Sequence, residues 1–160
     1  MLVVATNLTQ AANDKQQLSN MLDALGELPE ELGVVTQLLA DAGYFSEANV
    51  SACVDAAIEP LLAAGPGRDT HHLPWQERFG EPPPPPEPGD AVAQMKHRLK
   101  TRAGRAAYGL RKQTVEPVFG IIKAVMRFRQ FLLRGLEAVS AEWSLVTMAW
   151  NIRRMAVLRG

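Results

Sequence analysis

Two acidic residues of this 160-residue sequence occupy positions at which a carboxylate can do chemistry. Asp41 follows the apolar run 34–40, and open α/β sheets place catalytic groups at the carboxyl ends of their strands. Glu116 lies in the first turn of a predicted helix that otherwise carries cations. Carboxylate oxygens suit Mg²⁺, so Asp41 and Glu116 are candidate catalytic and metal-binding residues. The alternatives are a turn at Asp41-Ala42-Gly43 and a favourable interaction of Glu116 with the helix dipole.

A series of cations surrounds Glu116. Steps of seven, four and seven residues lead from Glu116 to Lys123, Arg127 and Arg134, which predicts one face of a helix. One acid beside a stripe of bases fits a metal-binding carboxylate next to a track for DNA phosphates. The alternative is a solvated helix face. The candidate DNA-binding residues are Tyr108, Arg111, Lys112, Lys123, Arg127 and Arg134.

The charge of the chain is unevenly distributed. The 17 basic and 17 acidic residues give a net charge of zero, which argues against a polycation or an acidic disordered tail. Residues 1–89 contain three basic and 13 acidic residues, whereas residues 90–160 contain 14 basic and four acidic ones. The two halves therefore carry −10 and +10. This split predicts that the second half meets a polyanion.

The first 64 residues alternate between strand and helix patterns. The sequence predicts strands over 2–5, 33–40 and 57–63, and helices over about 14–25 and 47–57. Asn13 or Asp14 is expected to cap the first helix and Ser46 the second. Pro60 indicates that the third strand is an edge strand or irregular. This order predicts an α/β fold for residues 1–64.

Residues 65–90 are polar and rich in proline. The run Pro82 to Pro86 excludes a helix or a central strand, and it predicts a polyproline insertion loop rather than a ligand for an SH3-like partner. His71 and His72, near Trp75, are adjacent histidines without a third ligand, and they are expected to be loop residues rather than a metal site.

The remainder of the chain, residues 91–160, is predicted to be helical and basic. Helices are expected over 91–102, 114–133 and 137–158. Trp143 and Trp150 belong to an apolar stripe of the last helix and are expected in the core rather than stacked on extruded bases. The stripe consists of Val139, Trp143, Val146, Trp150 and Val157.

Composition narrows the remaining possibilities. A hydrophobic share of 47% suits one globular domain. The single cysteine, Cys53, excludes an internal disulfide framework and a thiolate zinc site, and inert packing is expected for it. The N-terminal sequence lacks the pattern of a signal peptide, and no apolar run is long enough to span a membrane. The cytoplasm is therefore the expected location.

Three separated blocks of the sequence resemble bacterial insertion-sequence transposases of the DDE type. They are Thr6-Asn7 with residues 11–18, Leu39-Ala40-Asp41-Ala42-Gly43-Tyr44-Phe45-Ser46, and Val115-Glu116-Pro117-Val118-Phe119-Gly120-Ile121-Ile122-Lys123. The resemblance implies a ribonuclease H-like fold and an Asp-Asp-Glu triad that holds two divalent metals, usually Mg²⁺ (or Mn²⁺). In the family, these metals stabilise the attacking and leaving oxygens during cleavage and strand transfer of DNA.

The resemblance assigns roles residue by residue. Asp41 matches the second aspartate of the family and Glu116 its glutamate. The family signature Tyr-x2-Arg-x3-Glu-x6-Lys is matched by Tyr108-x2-Arg111 and by Glu116-x6-Lys123. Four residues separate Arg111 from Glu116, so Arg111 and Lys112 are alternatives for the arginine. Pro117 predicts a helix that begins with Thr114 as its N-cap, because a proline clashes inside a continuous helix.

The first aspartate of the family has no counterpart in the sequence. It lies on a strand upstream of the one that here contains Leu2-Val3-Val4-Ala5, and Asp14 and Asp23 fall on a helix instead. The chain thus resembles the C-terminal portion of a transposase, with an incomplete ribonuclease H-like sheet. We expect it to bind DNA, such as transposon ends, but to be inactive alone and to hold metal poorly. The alternative is a non-catalytic regulatory or assembly remnant that pairs with itself or with full-length transposase.

Overall fold

The computed structural model describes residues 1–11, 13–64 and 80–159. These residues form a small parallel sheet with helices around it, which agrees with the predicted α/β class. The strands are β1 (Gln37–Ala40) and β2 (Glu59–Leu62). The helices are α1 (Gln17–Gly26), α2 (Glu47–Asp55), α3 (Ala91–Lys100), α4 (Arg102–Gly109), α5 (Arg111–Ala124) and α6 (Leu136–Leu158). Short 3₁₀ turns cover Asp14–Gln16, Glu30–Leu32 and Ala42–Tyr44.

The two strands and α2 form a β-α-β unit. β1 pairs with β2 in parallel, and the register runs from Gln37 opposite Glu59 to Ala40 opposite Leu62. The connection ends in a Schellman motif, because Ala57 takes a left-handed φ of 56° and the Ile58 N–H donates to the Cys53 carbonyl at 2.8 Å. This turn directs the chain from α2 into β2.

Side-chain caps begin several helices, as the sequence predicts. The Asn13 side chain accepts from the Lys15 N–H, and the Ser46 hydroxyl accepts from the Asn49 N–H at 3.1 Å. Asp90 caps α3 in the same way through the Ala93 N–H. Such caps satisfy backbone donors that the first helical turn leaves without a partner.

Three groups of buried side chains hold the elements together. On one face of the sheet, Leu62 packs with Leu18 of α1, Val50 of α2 and Met95 of α3. On the other face, Leu61 packs with Tyr108 of α4. Because adjacent residues of β2 point to opposite faces, covering both faces is what a parallel sheet requires. A third group joins α5 to α6 and to the N-terminal segment; it consists of Val118, Ile122 and Trp150 with Val3, Met126, Phe128, Trp143 and Val146 around them.

The strand predicted over residues 2–5 is wrong. This segment lies against α6, where the Asn151 side chain accepts from the Val3 N–H at 2.8 Å and donates to the Val3 carbonyl at 2.6 Å. An amide side chain offers one acceptor and two donors, so it satisfies the backbone of Val3 without a partner strand.

The strand predicted over 33–40 is shorter than expected. Val34 is 89% exposed, and β1 begins only at Gln37. Its partner β2 also starts late, at Glu59, because the left-handed turn at Ala57 occupies the preceding residues. A strand ends where its partner offers no further backbone groups.

The helix predicted over 114–133 is displaced. α5 begins at Arg111 and continues through Pro117, so Thr114 is not its N-cap. The Thr114 hydroxyl instead donates to the Arg111 carbonyl at 2.8 Å. At the other end the helix stops at Ala124, and Arg127 has a left-handed φ of 59°. The Phe128 N–H then donates back to the Ile122 carbonyl at 3.1 Å, which places the Phe128 ring against the core instead of in a further helical turn.

The last predicted helix is confirmed as α6, and its stripe is confirmed in part. Trp150 is 7% exposed, and Trp143 and Val146 pack beside it. Val157 is 68% exposed and does not belong to the buried group around Trp150, so the stripe is not buried along its whole length.

The proline-rich segment is described from residue 80 onward. Residues 80–90 contain neither helix nor strand, and His97 of α3 lies 2.7 Å from the Pro83 carbonyl through its Nε2 atom. His71, His72 and Trp75 lie outside the described residues. Across residues 1–11, 13–64 and 80–159, no helix is both long and apolar enough to cross a membrane.

Candidate functional site

The end of β1 is joined to the start of α5 by an ion pair. Asp41 is the first residue after β1, and its side chain is 59% exposed. Arg111 is the first residue of α5, and its Nη1 atom lies 2.7 Å from the Asp41 Oδ1 atom while its side chain is 14% exposed. The sequence predicts both residues as members of a site, and the structure brings them into contact.

Tyr108 is the third residue of this group, and it contacts the group from the core. Its ring is 4% exposed, and its hydroxyl donates to the Ala40 carbonyl at 3.3 Å. The Arg111 guanidinium lies 5.7 Å from the centre of the Tyr108 ring, which is within cation–π range. Burial raises the pKa of the Tyr108 hydroxyl above its ordinary value of 10.0; Arg111 opposes this shift and Asp41 reinforces it. Tyr108 therefore stays neutral and supports Arg111 from the core.

A tight turn between α3 and α4 sets the position of Tyr108 and Arg111. The Thr101 hydroxyl donates to the Arg98 carbonyl at 2.7 Å and accepts from the Gly104 N–H at 3.0 Å. A Cβ atom on Gly104 would lie 1.9 Å from the Arg98 carbonyl oxygen. Only glycine permits this approach, which fixes how α4 leaves α3.

The Asp14 side chain lies close to the loop that carries Asp41. The sequence does not predict this proximity. The Asp14 Oδ2 atom lies 3.2 Å from the place that a Cβ atom of Gly43 would take. Burial, followed by the charges of Asp14 and Asp41, raises the pKa of Tyr44. The buried Asn49 amide fastens this arrangement, since its Nδ2 atom donates to the Lys15 carbonyl at 2.9 Å and to the Tyr44 carbonyl at 2.6 Å. The small residue at position 43 is the one signal in the sequence for this approach.

Glu116 does not share the surroundings of Arg111 and Asp41. It is exposed, and no ion pair or hydrogen bond of its carboxylate occurs within the described portion of the chain. On an α-helix, five residues correspond to a rise of about 7.5 Å and a rotation of about 140°. Glu116 therefore leaves α5 from a different face than Arg111, which is the residue that contacts Asp41.

The predicted single face of cations is wrong beyond Lys123. Arg127 and Arg134 follow the end of α5, so helical spacing no longer relates them to Glu116. Lys112, Lys123, Arg127 and Arg134 are all exposed. The Arg134 guanidinium donates to the Phe131 and Leu133 carbonyls at 3.3 and 3.0 Å, so it also orders the loop before α6.

The described residues do not fit a pair of divalent metals. No group of three or more histidine, cysteine, aspartate or glutamate side chains able to hold a metal occurs among residues 1–11, 13–64 and 80–159. Asp41 is also engaged by a cation, whereas a two-metal site needs carboxylates that converge on the ions. The resemblance implies these metals, but the residues present do not supply their ligands.

Comparison with known families connects the helical half to DNA transposition. Residues 86–156, which run from before α3 into the last turns of α6, match the family described as transposase DDE domain. The match supports a transposition-related protein of the DDE type, and it includes Arg111, Glu116 and Lys123 but not Asp41. Neither the curated proteins nor the solved structures gave a match.

Proposed function

We propose that this chain belongs to a DDE transposase and that its helical half binds DNA. One observation carries the proposal: the region that matches the transposase family, residues 86–156, lies in the half of the chain that carries a net charge of +10. Neutralisation of DNA phosphates by such a surface releases counterions and provides most of the non-specific affinity. The partner is transposon DNA, and the origin is a bacterial insertion sequence, as the resemblance implies.

Within this proposal, the two ends of the family signature have different roles. Tyr108 and Arg111 position the loop that carries Asp41, because both side chains are largely enclosed. The DNA-contacting groups are the exposed cations Lys112, Lys123, Arg127 and Arg134. Arg111, rather than Lys112, fills the role of the family arginine, since it is the cation that contacts Asp41.

We also propose that the chain alone does not cleave DNA. The resemblance implies a ribonuclease H-like domain, and no aspartate of the given sequence matches the first catalytic aspartate of the family. Support comes from the ion pair of Asp41 with Arg111 and from the lack of a converging ligand set in the described residues. In an intact relative the metals would polarise the attacking water; here the residues bind and orient DNA only.

Binding to labelled duplex DNA at increasing salt tests the proposal. We expect log K to fall steeply with log salt, and the double variant Lys112→Gln/Arg127→Gln should reduce the slope by about 1.8, or about 0.9 for each phosphate contact. Lys15→Gln, which removes one positive charge from the acidic half, is the control for each single substitution and should leave the slope unchanged. An affinity independent of salt would contradict DNA binding, and efficient nicking with Mg²⁺ or Mn²⁺ would contradict the inactivity.

A second candidate function is an assembly module that pairs with another copy of this chain. α6 carries a second apolar stripe, which is exposed: Leu145, Met148, Ile152 and Met155 are 62, 52, 56 and 40% exposed and follow helical spacing. Sedimentation velocity over a range of concentrations distinguishes the two functions. A dimer that Met148→Glu dissociates, without DNA binding by either form, would favour assembly.

A further inference from the structure

An open cavity between α5, α6 and the loop that connects them is lined by aromatic rings. Its volume is about 340 Å³, and its lining includes Phe119, Phe128, Phe131 and Trp143 together with Lys123 and Arg129. We call it the aromatic cavity. It lies at the C-terminal half of α5, apart from Asp41 and Arg111.

The aromatic rings of this cavity pack against one another, and one of them is partly exposed. Phe119 and Trp143 are nearly parallel, with ring centres 5.8 Å apart and an angle of 9° between their planes. Phe131 stands across Trp143 at 76°, with the ring centres 6.2 Å apart. Trp143 covers one face of Phe119, and Phe119 is 43% exposed, so part of its remaining surface is open to a ligand. A flat aromatic ligand can stack on this exposed part of Phe119 and extend the stack of rings.

Cations stand at the border of the aromatic cavity. Lys123 leaves α5 and Arg129 leaves the following loop, and both are exposed. The Glu142 carboxylate of α6 is occupied otherwise, because it accepts from the Leu132 and Leu133 N–H groups at 3.0–3.1 Å. The same three hydrogen bonds fix the loop to α6 and keep the cavity in shape. The cavity thus combines an aromatic floor with positive charge at its edge.

We propose that the aromatic cavity binds one unstacked nucleobase of single-stranded DNA, with the neighbouring phosphates on Lys123 and Arg129. This inference rests on the proposed DNA-binding function and names a site for it. A base in duplex DNA is covered by its neighbours on both faces, whereas a base of a single strand offers a free face to Phe119. Proteins bind single strands by this combination of stacking and a positive groove, and each stacked base contributes about 1–3 kcal/mol.

The competing occupants fit less well. An aliphatic ligand or the apolar surface of a second copy would match the rings but not the two cations. A duplex would match the cations but not the concave aromatic floor. A nucleotide of a single strand is the ligand whose chemistry matches both features, since it presents a flat base and an anionic phosphate.

Paired binding measurements on the full chain test the site. The probes are a labelled oligothymidine single strand and a blunt duplex of the same length. Phe119→Ala should weaken binding of the single strand about 5- to 150-fold, which is the stated stacking energy converted to a ratio, and leave binding of the duplex unchanged. Phe119→Leu should behave similarly, because it keeps an apolar side chain but removes the aromatic face. Val157→Ala is the control, since Val157 is 68% exposed on α6 and lies outside both the aromatic cavity and the exposed apolar stripe.

Charge variants test the edge of the site separately. Lys123→Gln and Arg129→Gln should each reduce the salt slope for the single strand by about 0.7. Thermal melts of all variants establish that they fold, and partial exposure of Phe119 favours this outcome.

Three results would overturn the inference. The first is that Phe119→Ala and Phe119→Leu bind the single strand as tightly as the unaltered chain does. If both variants also still bind the duplex, the proposed DNA-binding function stands although the base site fails. The second is that Phe119→Ala loses affinity equally for the single strand and the duplex, which would mean that the cavity has no preference for a free base. The third is a concentration-dependent dimer that Phe119→Ala abolishes, which assigns the cavity to a second copy. If the unaltered chain binds neither DNA, the proposed function fails as well.

Discussion

The two ends of α5 carry similar cations in different surroundings. At the first residue, Arg111 is 14% exposed and reaches Asp41 of the acidic half at 2.7 Å. Twelve residues later, Lys123 is exposed at the edge of the aromatic cavity, and Arg127 is exposed in the loop that follows α5. The same kind of charge therefore joins the two halves of the chain at one end of α5 and is exposed at the other.

This difference changes what the distribution of charge means. A second ion pair between the halves joins Arg98 of α3 to Glu59 of β2, with the Arg98 Nε atom 3.1 Å from the Glu59 Oε1 atom. Some of the opposite charge of the two halves is thus paired within the fold. A net charge counted along the sequence overestimates the charge available to DNA.

Gly104→Ala acts on the N-terminal end of α5, because Gly104 belongs to the turn that positions Tyr108 and Arg111. It should have the largest effect on stability. The added Cβ atom would lie 1.9 Å from the Arg98 carbonyl oxygen, so α4 must shift, and we expect a loss of roughly 2–3 kcal/mol in the free energy of unfolding. Denaturant unfolding measures it. Gly120→Ala is the matched control, because a Cβ atom there meets nothing within 4 Å, and it should gain about 0.5–1 kcal/mol of stability. Equal stabilities of the two variants would contradict the tight turn.

The titration of Tyr108 tests the contact between Arg111 and Tyr108 at the N-terminal end of α5. The chain has two tyrosines, so in a Tyr44→Phe background tyrosinate absorbance reports Tyr108 alone. Its pKa should exceed 10.0, and Arg111→Gln should raise it further, because Arg111 stabilises the anion. Lys123→Gln, at the other end of α5, should leave it unchanged. A pKa that Arg111→Gln lowers would contradict the contact between Arg111 and Tyr108.

The same shift predicts how stability depends on pH. A pKa that is higher in the folded state means that the unfolded chain loses the phenolic proton first. The free energy of unfolding should therefore be constant with respect to this group below pH 10.0 and fall as the pH rises through the folded pKa. Tyr108→Phe should remove this contribution to the fall at high pH.

Arg127→Gly should have the smallest effect on stability and acts on the other end of α5. A left-handed φ of 59° costs an arginine about 1 kcal/mol that glycine avoids, so we expect a gain of up to about that size. Affinity for duplex DNA should fall at the same time, because a cation is lost. Ala57→Gly, at the other left-handed non-glycine residue among those described, should give the gain in stability without the loss of affinity. Unchanged DNA binding by Arg127→Gly would remove Arg127 from the proposed interface.

The sequence predicts the local features of this fold better than the distant ones. The caps at Asn13 and Ser46, the long helix α6 and the β-α-β order depend on neighbouring residues, and the structure has them. The strand over 2–5 fails because its partner would have to come from elsewhere in the chain. The end of α5 fails because burial of Phe128 outweighs the helical spacing of Arg127 and Arg134.

The candidate site shows the same limit. Spacing draws attention to Asp41, Tyr108 and Arg111, yet it cannot show that a cation occupies the carboxylate, since the two residues are 70 positions apart. It also places Glu116 near Asp41 by analogy, whereas the geometry of α5 turns Glu116 away. The approach of Asp14 is not predicted, because the sequence places Asp14 on a helical turn. Its side chain can come close to the loop because Gly43 has no side chain there.

The hydrogen bonds between Val3 and Asn151 have a consequence for the order of events during synthesis. The two residues are 148 positions apart. A ribosome that adds about 5–20 residues per second needs roughly 7–30 s to make the chain between them. Until then the backbone groups of Val3 lack the Asn151 side chain as a partner, although the β-α-β unit can already form. The contact between Val3 and Asn151 is therefore among the last tertiary contacts that the growing chain can make.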